Sequence, residues 1–234
     1  MYPHFVSEVM TVTKTLFLSA IAKFAAGVIL IGALLFLPAG TLVYPQGWLL
    51  MGILFIPMFL AGLVMMAKNP NLLRSRLDAK EKEREQSLVV KLSGLMFLVG
   101  FILAGLSFRF GWLMLPRWVS ILGAILFLIS YALYAEVLRE NTWLSRTIEV
   151  QEGQTVVSTG LYGVVRHPMY MATLVLFLSM PLVLGSALAF IVFLAYPAII
   201  VKRIRNEEEV LARELPGYAE YLQKVHWRLI PFIW

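Results

Sequence analysis

The chain has 234 residues, of which 60% are hydrophobic and 15% charged, and its mean hydropathy is +0.80. That apolar share exceeds what soluble domains carry, so the chain reads as one integral membrane domain with no length left for a soluble domain of ordinary size. A formal charge of +6 fits basic loops on one membrane face and requires no nucleic acid, while zero cysteines and three scattered histidines (His4, His167, His226) exclude disulfides, thiolate nucleophiles and a histidine-rich zinc site.

Apolar runs at about 16–37, 42–66, 88–108 and 118–138 are each long enough to cross a hydrocarbon core, which takes roughly 20 residues. The first is too long for a signal-peptide core and its exit, Leu37-Pro38-Ala39-Gly40, lacks a cleavage pattern, so it is expected to stay as a helix. The stretch 169–201 is too long for one span and is interrupted by Pro181 and Gly185-Ser186, which predicts two shorter helices folded as a hairpin. The expected fold class is therefore all-α, a polytopic bundle of about six membrane helices ending in a helical hairpin. The expected organisation is four N-terminal spans in 1–138, with a polar loop at 67–91, followed by a site-bearing region in 139–234.

Loop 67–91 carries Lys68, Arg74, Arg76, Lys80, Lys82, Arg84 and Lys91, whereas the turns near 38–47 and 181–187 carry no charge. The excess of basic residues predicts that this loop, loop 139–167, the tail after Val201 and both termini are cytoplasmic, with Arg109 and Arg117 outside. The run 78–85 mixes both signs and reads as a solvated helical loop, and Lys23 inside the first span reads as snorkelling or pocket-lining.

In 139–234 the polar residues converge. On a helix, Ile200, Arg203, Ile204, Glu207, Leu211 and Leu215 share one stripe while Arg205 and Glu209 point elsewhere, which puts the Glu207 carboxylate among apolar residues. Such a carboxylate needs a cation, and a ligand ammonium would complete what Arg203 supplies only in part. Pro216 should end that helix near Leu215 and start a short second one, with Tyr218, Tyr221 and Leu222 capping the site. Pro168 suits the first turn of a helix and leaves Arg166 and His167 at its mouth, where outward N–H groups would receive an anion. The segment 147–157, with a turn at Gly153, is expected to be extended and able to hydrogen-bond a planar polar cofactor.

These residues follow a pattern, Gly-x-Tyr-x-x-x-Arg-His-Pro-x-Tyr, then a hydrophobic hairpin, Arg-x-x-x-Glu-Glu-x-x-Leu and a closing Tyr-x-x-Tyr. It is supplied by Gly160, Tyr162, Arg166, His167, Pro168, Tyr170, Arg203, Glu207, Glu208, Leu211, Tyr218 and Tyr221. Over about 139–232 it resembles the isoprenylcysteine carboxyl methyltransferase family, departing from it where Pro216-Gly217-Tyr218 stands for the usual Gly-x-x-Tyr. The resemblance implies a cytoplasmic pocket for S-adenosylmethionine and a lateral opening for a lipophilic or prenylated acceptor drawn from the membrane lipid, with no metal. Cofactor contacts would fall on Gln154, Thr155, Val156, Val157, Tyr162, His167, Pro168, Met169, Tyr170 and Glu207, and Arg203 would bind the acceptor.

The expected reaction is in-line methyl transfer, with Arg203 orienting an acceptor carboxylate that needs no general base. A thiol or amine acceptor would need one, and His167 is the nearby residue suited to that role. Phospholipid or thiol methyl transfer, a sterol-reductase-like use of a nicotinamide cofactor, and a scaffold or small transporter with a degenerate site are the competing readings.

Overall fold

In the computed structural model the described residues are 3–70, 73, 74, 77, 84–144 and 150–234, with side chains described from 15 onward and, in the third helix, from 88 onward. The described residues contain no β-strand beyond one isolated bridge. Four long helices come first: α1 (Pro3–Ala39), α2 (Pro45–Lys68), α3 (Arg84–Phe110) and α4 (Arg117–Glu140). A short 3-10 turn follows at Gly160–Gly163, then α5 (Pro168–Val183), α6 (Ala187–Phe193), α7 (Ala195–Glu214) and α8 (Tyr218–Lys224).

Among the described residues five stretches are long and apolar enough to cross a membrane: Thr15–Ala39, Pro45–Lys68, Leu88–Phe110, Arg117–Glu140 and Ala187–Glu214. The apolar helix α5 is shorter. The protein is a multi-pass membrane protein. Residues such as Ile29, Leu37, Ile56, Leu60 and Ile121 are exposed along these helices, as side chains facing hydrocarbon should be.

The hairpin forms as expected, but its turn lies only at 184–186. Pro181 occupies the last turn of α5 and does not interrupt it, because a proline there disturbs only the helix bonds nearest the end. Ser186 caps α6 by accepting a hydrogen bond from the Ala189 N–H, and α6 runs into α7 through a single residue, Leu194. The second arm of the hairpin is therefore much longer than the first and leads directly into the site.

Close approaches fix the bundle. A side chain at Gly105 of α3 would collide with the Leu35 carbonyl of α1, and one at Gly123 of α4 with the backbone around Val183 of α5. Missing side chains let helices approach where apolar burial offers no net driving force in lipid. Between α3, α5, α6 and α7 lies an aromatic core, with Phe97 edge-on to Phe177 at 4.8 Å and to Phe193 at 5.3 Å, and Phe177 edge-on to Tyr196 at 4.6 Å.

The two ends of the bundle differ. At one, neutral turns lock together: Leu115 N–H donates to Gly185 O at 2.8 Å, Ala187 N–H to Leu113 O at 3.1 Å, and the Tyr44 hydroxyl to Leu184 O at 2.9 Å. At the other, the C-terminal end of α4, the start of α5 and the second half of α7 meet, bringing the charged segments together.

Candidate active site

The floor of the site is built at the start of α5. With Pro168 at its first position, the helix ladder begins at Met171 N–H, which donates to His167 O at 3.1 Å. Arg166 and His167 do not offer their own N–H groups to an anion as expected. Arg166 N–H donates to Trp227 O at 2.8 Å and His167 N–H to Arg228 O at 2.9 Å. The C-terminal segment takes those donors, and only Met169 and Tyr170 keep N–H groups outside the ladder.

Glu208 ties this junction together. Successive buried positions on α7 are Tyr196, Ile200, Ile204 and Glu208, four residues apart. Glu208, not Glu207, thus takes the buried face, and its carboxylate accepts from Arg166 Nε at 2.7 Å, Arg228 Nε at 2.7 Å and His167 Nε2 at 3.2 Å. A carboxylate that only accepts requires the proton on His167 Nε2. Arg166 also donates to Val225 O at 3.0 Å, so one buried cluster clamps α5, α7 and the C-terminal segment.

Glu207 sits one residue round α7, half-buried on the face turned to a pocket. It accepts a hydrogen bond from the Tyr170 hydroxyl, and that same hydroxyl accepts from Arg203 Nε at 2.9 Å. Arg203, Tyr170 and Glu207 thus form a chain in which one phenol bridges a guanidinium and a carboxylate.

The opposite wall comes from the connection between α4 and α5. Its glycine at 160 is required: φ is +51°, and a Cβ would run into the Glu140 carboxylate, which accepts from Leu161 N–H at 3.0 Å. Asn141 Nδ2 donates to the Tyr162 hydroxyl at 2.9 Å. Burial raises the Tyr162 phenol to about 12, with the Asn141 hydrogen bond opposing the shift, so it stays protonated. Gln154 N–H donates to Gln151 O at 3.0 Å in a turn, and residues 154–158 then run without regular structure. The expected extended piece at 147–149 lies outside the described residues.

The lid is as expected. α7 stops at Glu214, Gly217 adopts φ +83°, and α8 folds back. Leu215, Tyr218, Tyr221 and Val225 pack together against Val150, Val156, Leu211 and Leu222, and the Tyr221 hydroxyl donates to Tyr162 O at 2.7 Å.

The pocket enclosed by these walls has a cavity of about 100 Å³ within about 830 Å³ of space reaching to its open mouth. Gln154, Thr155, Val156, Val157, Tyr162, His167, Met169, Tyr170, Glu207 and Arg203 all line it. Pro168 does not; it is buried as the first residue of α5. Asn141, Trp143, Tyr218 and Tyr221 line it too and were not among the expected ligand contacts. Among the described residues no group of three His, Cys, Asp or Glu could hold a metal ion.

Residues 121–213, from near the start of α4 to nearly the end of α7, match the model of the isoprenylcysteine carboxyl methyltransferase (ICMT) family. This segment belongs to the ICMT family. A solved structure titled as the eukaryotic intramembrane Ras methyltransferase ICMT is similar over 100% of this chain and 87% of its own, with a TM-score of 0.58 and 18% identity, so the ICMT likeness in fold extends to the N-terminal helices.

Two curated relatives are similar over shorter stretches. A delta(14)-sterol reductase of Mus musculus is 32% identical over 91 residues, 38% of this chain and 22% of the reductase. The cobalt-zinc-cadmium resistance protein CzcN of Cupriavidus metallidurans is 33% identical over 133 residues, 54% of this chain and 57% of CzcN. The chain thus spans about a fifth of the first relative and rather more than half of the second.

Proposed function

We propose that the protein is a membrane methyltransferase that uses S-adenosylmethionine to methylate a lipophilic acceptor, the acceptor being the carboxylate of an isoprenylcysteine-like molecule. The observation that carries this reading is the Arg203–Tyr170–Glu207 chain inside a pocket of the ICMT-family segment. It sets a carboxylate suited to a donor's ammonium group beside a guanidinium suited to an acceptor's carboxylate.

The residues present fit the donor. Glu207 would hold its ammonium group, the N–H groups of Met169 and Tyr170 at the start of α5 would take its carboxylate, and Val156, Val157 and Tyr162 would flank its flat heterocycle. When bound, S-adenosylmethionine supplies an activated methyl group on a sulfonium. The protein's part is to align the acceptor, exclude water with the α8 lid and hold both partners in register, which accounts for large rate gains without acid–base chemistry. His167 Nε2–H donates a hydrogen bond to the Glu208 carboxylate, leaving only Nδ1 to face an acceptor. A carboxylate acceptor makes no demand on it, whereas a thiol or amine would.

The basic residues Lys68, Arg74, Arg139 and Arg166 favour a cytoplasmic pocket and cytoplasmic termini. Calorimetric titration of the detergent-solubilised protein with S-adenosylmethionine tests the reading. Micromolar binding that Glu207→Ala abolishes supports it, and no heat with the unmodified protein overturns it. The likeness to a delta(14)-sterol reductase favours a reduced nicotinamide dinucleotide as the second titrant, and saturable binding of that cofactor alone would replace methyl transfer by hydride transfer.

A further inference from the structure

Four tyrosines line the pocket, and three have their hydroxyls engaged by the protein. Tyr162 accepts from Asn141, Tyr170 joins Arg203 to Glu207, and Tyr221 donates to Tyr162 O. The fourth, Tyr218, is 4% exposed, and its buried hydroxyl finds no hydrogen-bond partner among the described residues. Buried tyrosine hydroxyls are ordinarily paired, since stranding one costs free energy that a phenylalanine in the same space would not incur.

The ring is held firmly. Gly217, with φ +83°, turns the chain so that Tyr218 begins α8, packed with Leu215 and with Tyr221 at 5.7 Å between ring centroids. Burial first, and then the carboxylates of Glu208 and Glu207, push its phenol well above the ordinary tyrosine range, so the group remains a proton donor.

Its surroundings indicate what it would donate to. The charged and titratable side chains that line the pocket, Arg166, His167, Arg203 and Glu207, come from the two residues before α5 and from α7, whereas the Tyr218 ring is packed in an apolar cluster with Leu215, Val156 and Leu211. An apolar wall lined by loop backbone suits a flat heterocycle, and the charged wall suits an amino-acid group.

We infer that the Tyr218 hydroxyl is a ligand contact, donating a hydrogen bond to an acceptor atom of the nucleoside part of the methyl donor, so that occupancy of the pocket fastens the α8 lid. This rests on the proposed use of S-adenosylmethionine. It makes Tyr218 costly to the ligand-free protein and useful only to the loaded one.

The test is Tyr218→Phe, measured by calorimetry with S-adenosylhomocysteine and with 5′-methylthioadenosine, which keeps the nucleoside and lacks the amino acid, and by thermal melting without ligand. The expected result is about tenfold weaker binding of both compounds, the loss of one hydrogen bond, with a ligand-free melting midpoint equal to or above that of the unmodified protein. Tyr221→Phe serves as the structural contrast, because losing its bond to Tyr162 O should lower the midpoint. Unchanged binding of both compounds by Tyr218→Phe overturns the inference, as does weakening confined to S-adenosylhomocysteine, or a lowered ligand-free midpoint. If the unmodified protein binds neither compound, the methyltransferase reading itself fails.

Discussion

Glu208→Gln should loosen the protein at the site while leaving every pocket-lining side chain in the sequence. The carboxylate accepts from three donors, and the Arg166 side chain among them is only 8% exposed. Breaking a buried ion pair from one side costs roughly 3–5 kcal/mol, because the remaining charge is stranded. Two features pull the value to the low end: the Arg228 side chain is 35% exposed and can turn to water, and the glutamine carbonyl still accepts one bond. The result is about 3 kcal/mol, and at about 2–4 °C per kcal/mol for a chain of this size the melting midpoint should fall by about 6–12 °C. Tryptophan fluorescence of the detergent-solubilised protein is a direct assay, since Trp227 and Trp234 lie in the segment that Glu208 ties down. A midpoint within about 2 °C of the unmodified protein would refute the assignment of Glu208 as the clamp. Glu207→Gln is the companion variant, with a midpoint shift below about 3 °C and lost binding of the donor.

Gly160→Ala forces a Cβ into the Glu140 carboxylate at a positive φ and should cost about 1–3 kcal/mol, visible as a lower melting midpoint and weaker donor binding. Arg203→Lys keeps the charge but not the Nε that meets Tyr170; donor affinity should stay within about threefold while turnover of a carboxylate acceptor drops at least about tenfold, read by separating donor Kd from kcat. Tyr44→Phe removes the buried bond to Leu184 O at the far end of the bundle; it should cost about 1–2 kcal/mol of stability and leave donor binding unchanged in calorimetry.

The helices were legible because lipid imposes its own grammar. A span needs about 20 apolar residues and internal backbone pairing, so α1 to α4 could be read from run length and the hairpin from Gly185-Ser186. Pro181 misled because a proline in a helix's last turn leaves few bonds to break. The pocket was largely legible too, through the motif shared by the 160–170 and 203–221 segments. Glu208 was not, since residues 207 and 208 lie only about 100° apart on a helix and composition cannot say which faces inward. That choice is made by Arg166 and Arg228, 42 and 20 residues away in sequence. The Glu140 contact to Leu161, spanning 21 residues, was hidden for the same reason, as was the capture of the Arg166 and His167 N–H groups by the C-terminal segment.

One helix, α7, is gripped by aromatic rings near Tyr196 and carries Arg203, Glu207 and Glu208 towards its other end. In geometry it is a lever arm, with one end among the aromatic rings and the other in the pocket. Tyr196 and Glu207 are separated by about 16 Å of helix, so a tilt of about 10° at the aromatic end carries the carboxylate about 3 Å, several times the displacement that ruins an aligned reaction. The Phe193 ring, lying so close to Gly100 that a Cβ there would collide with it, sits near the far end of that arm, so a substitution at Gly100 can reach the pocket without changing any side chain that lines it.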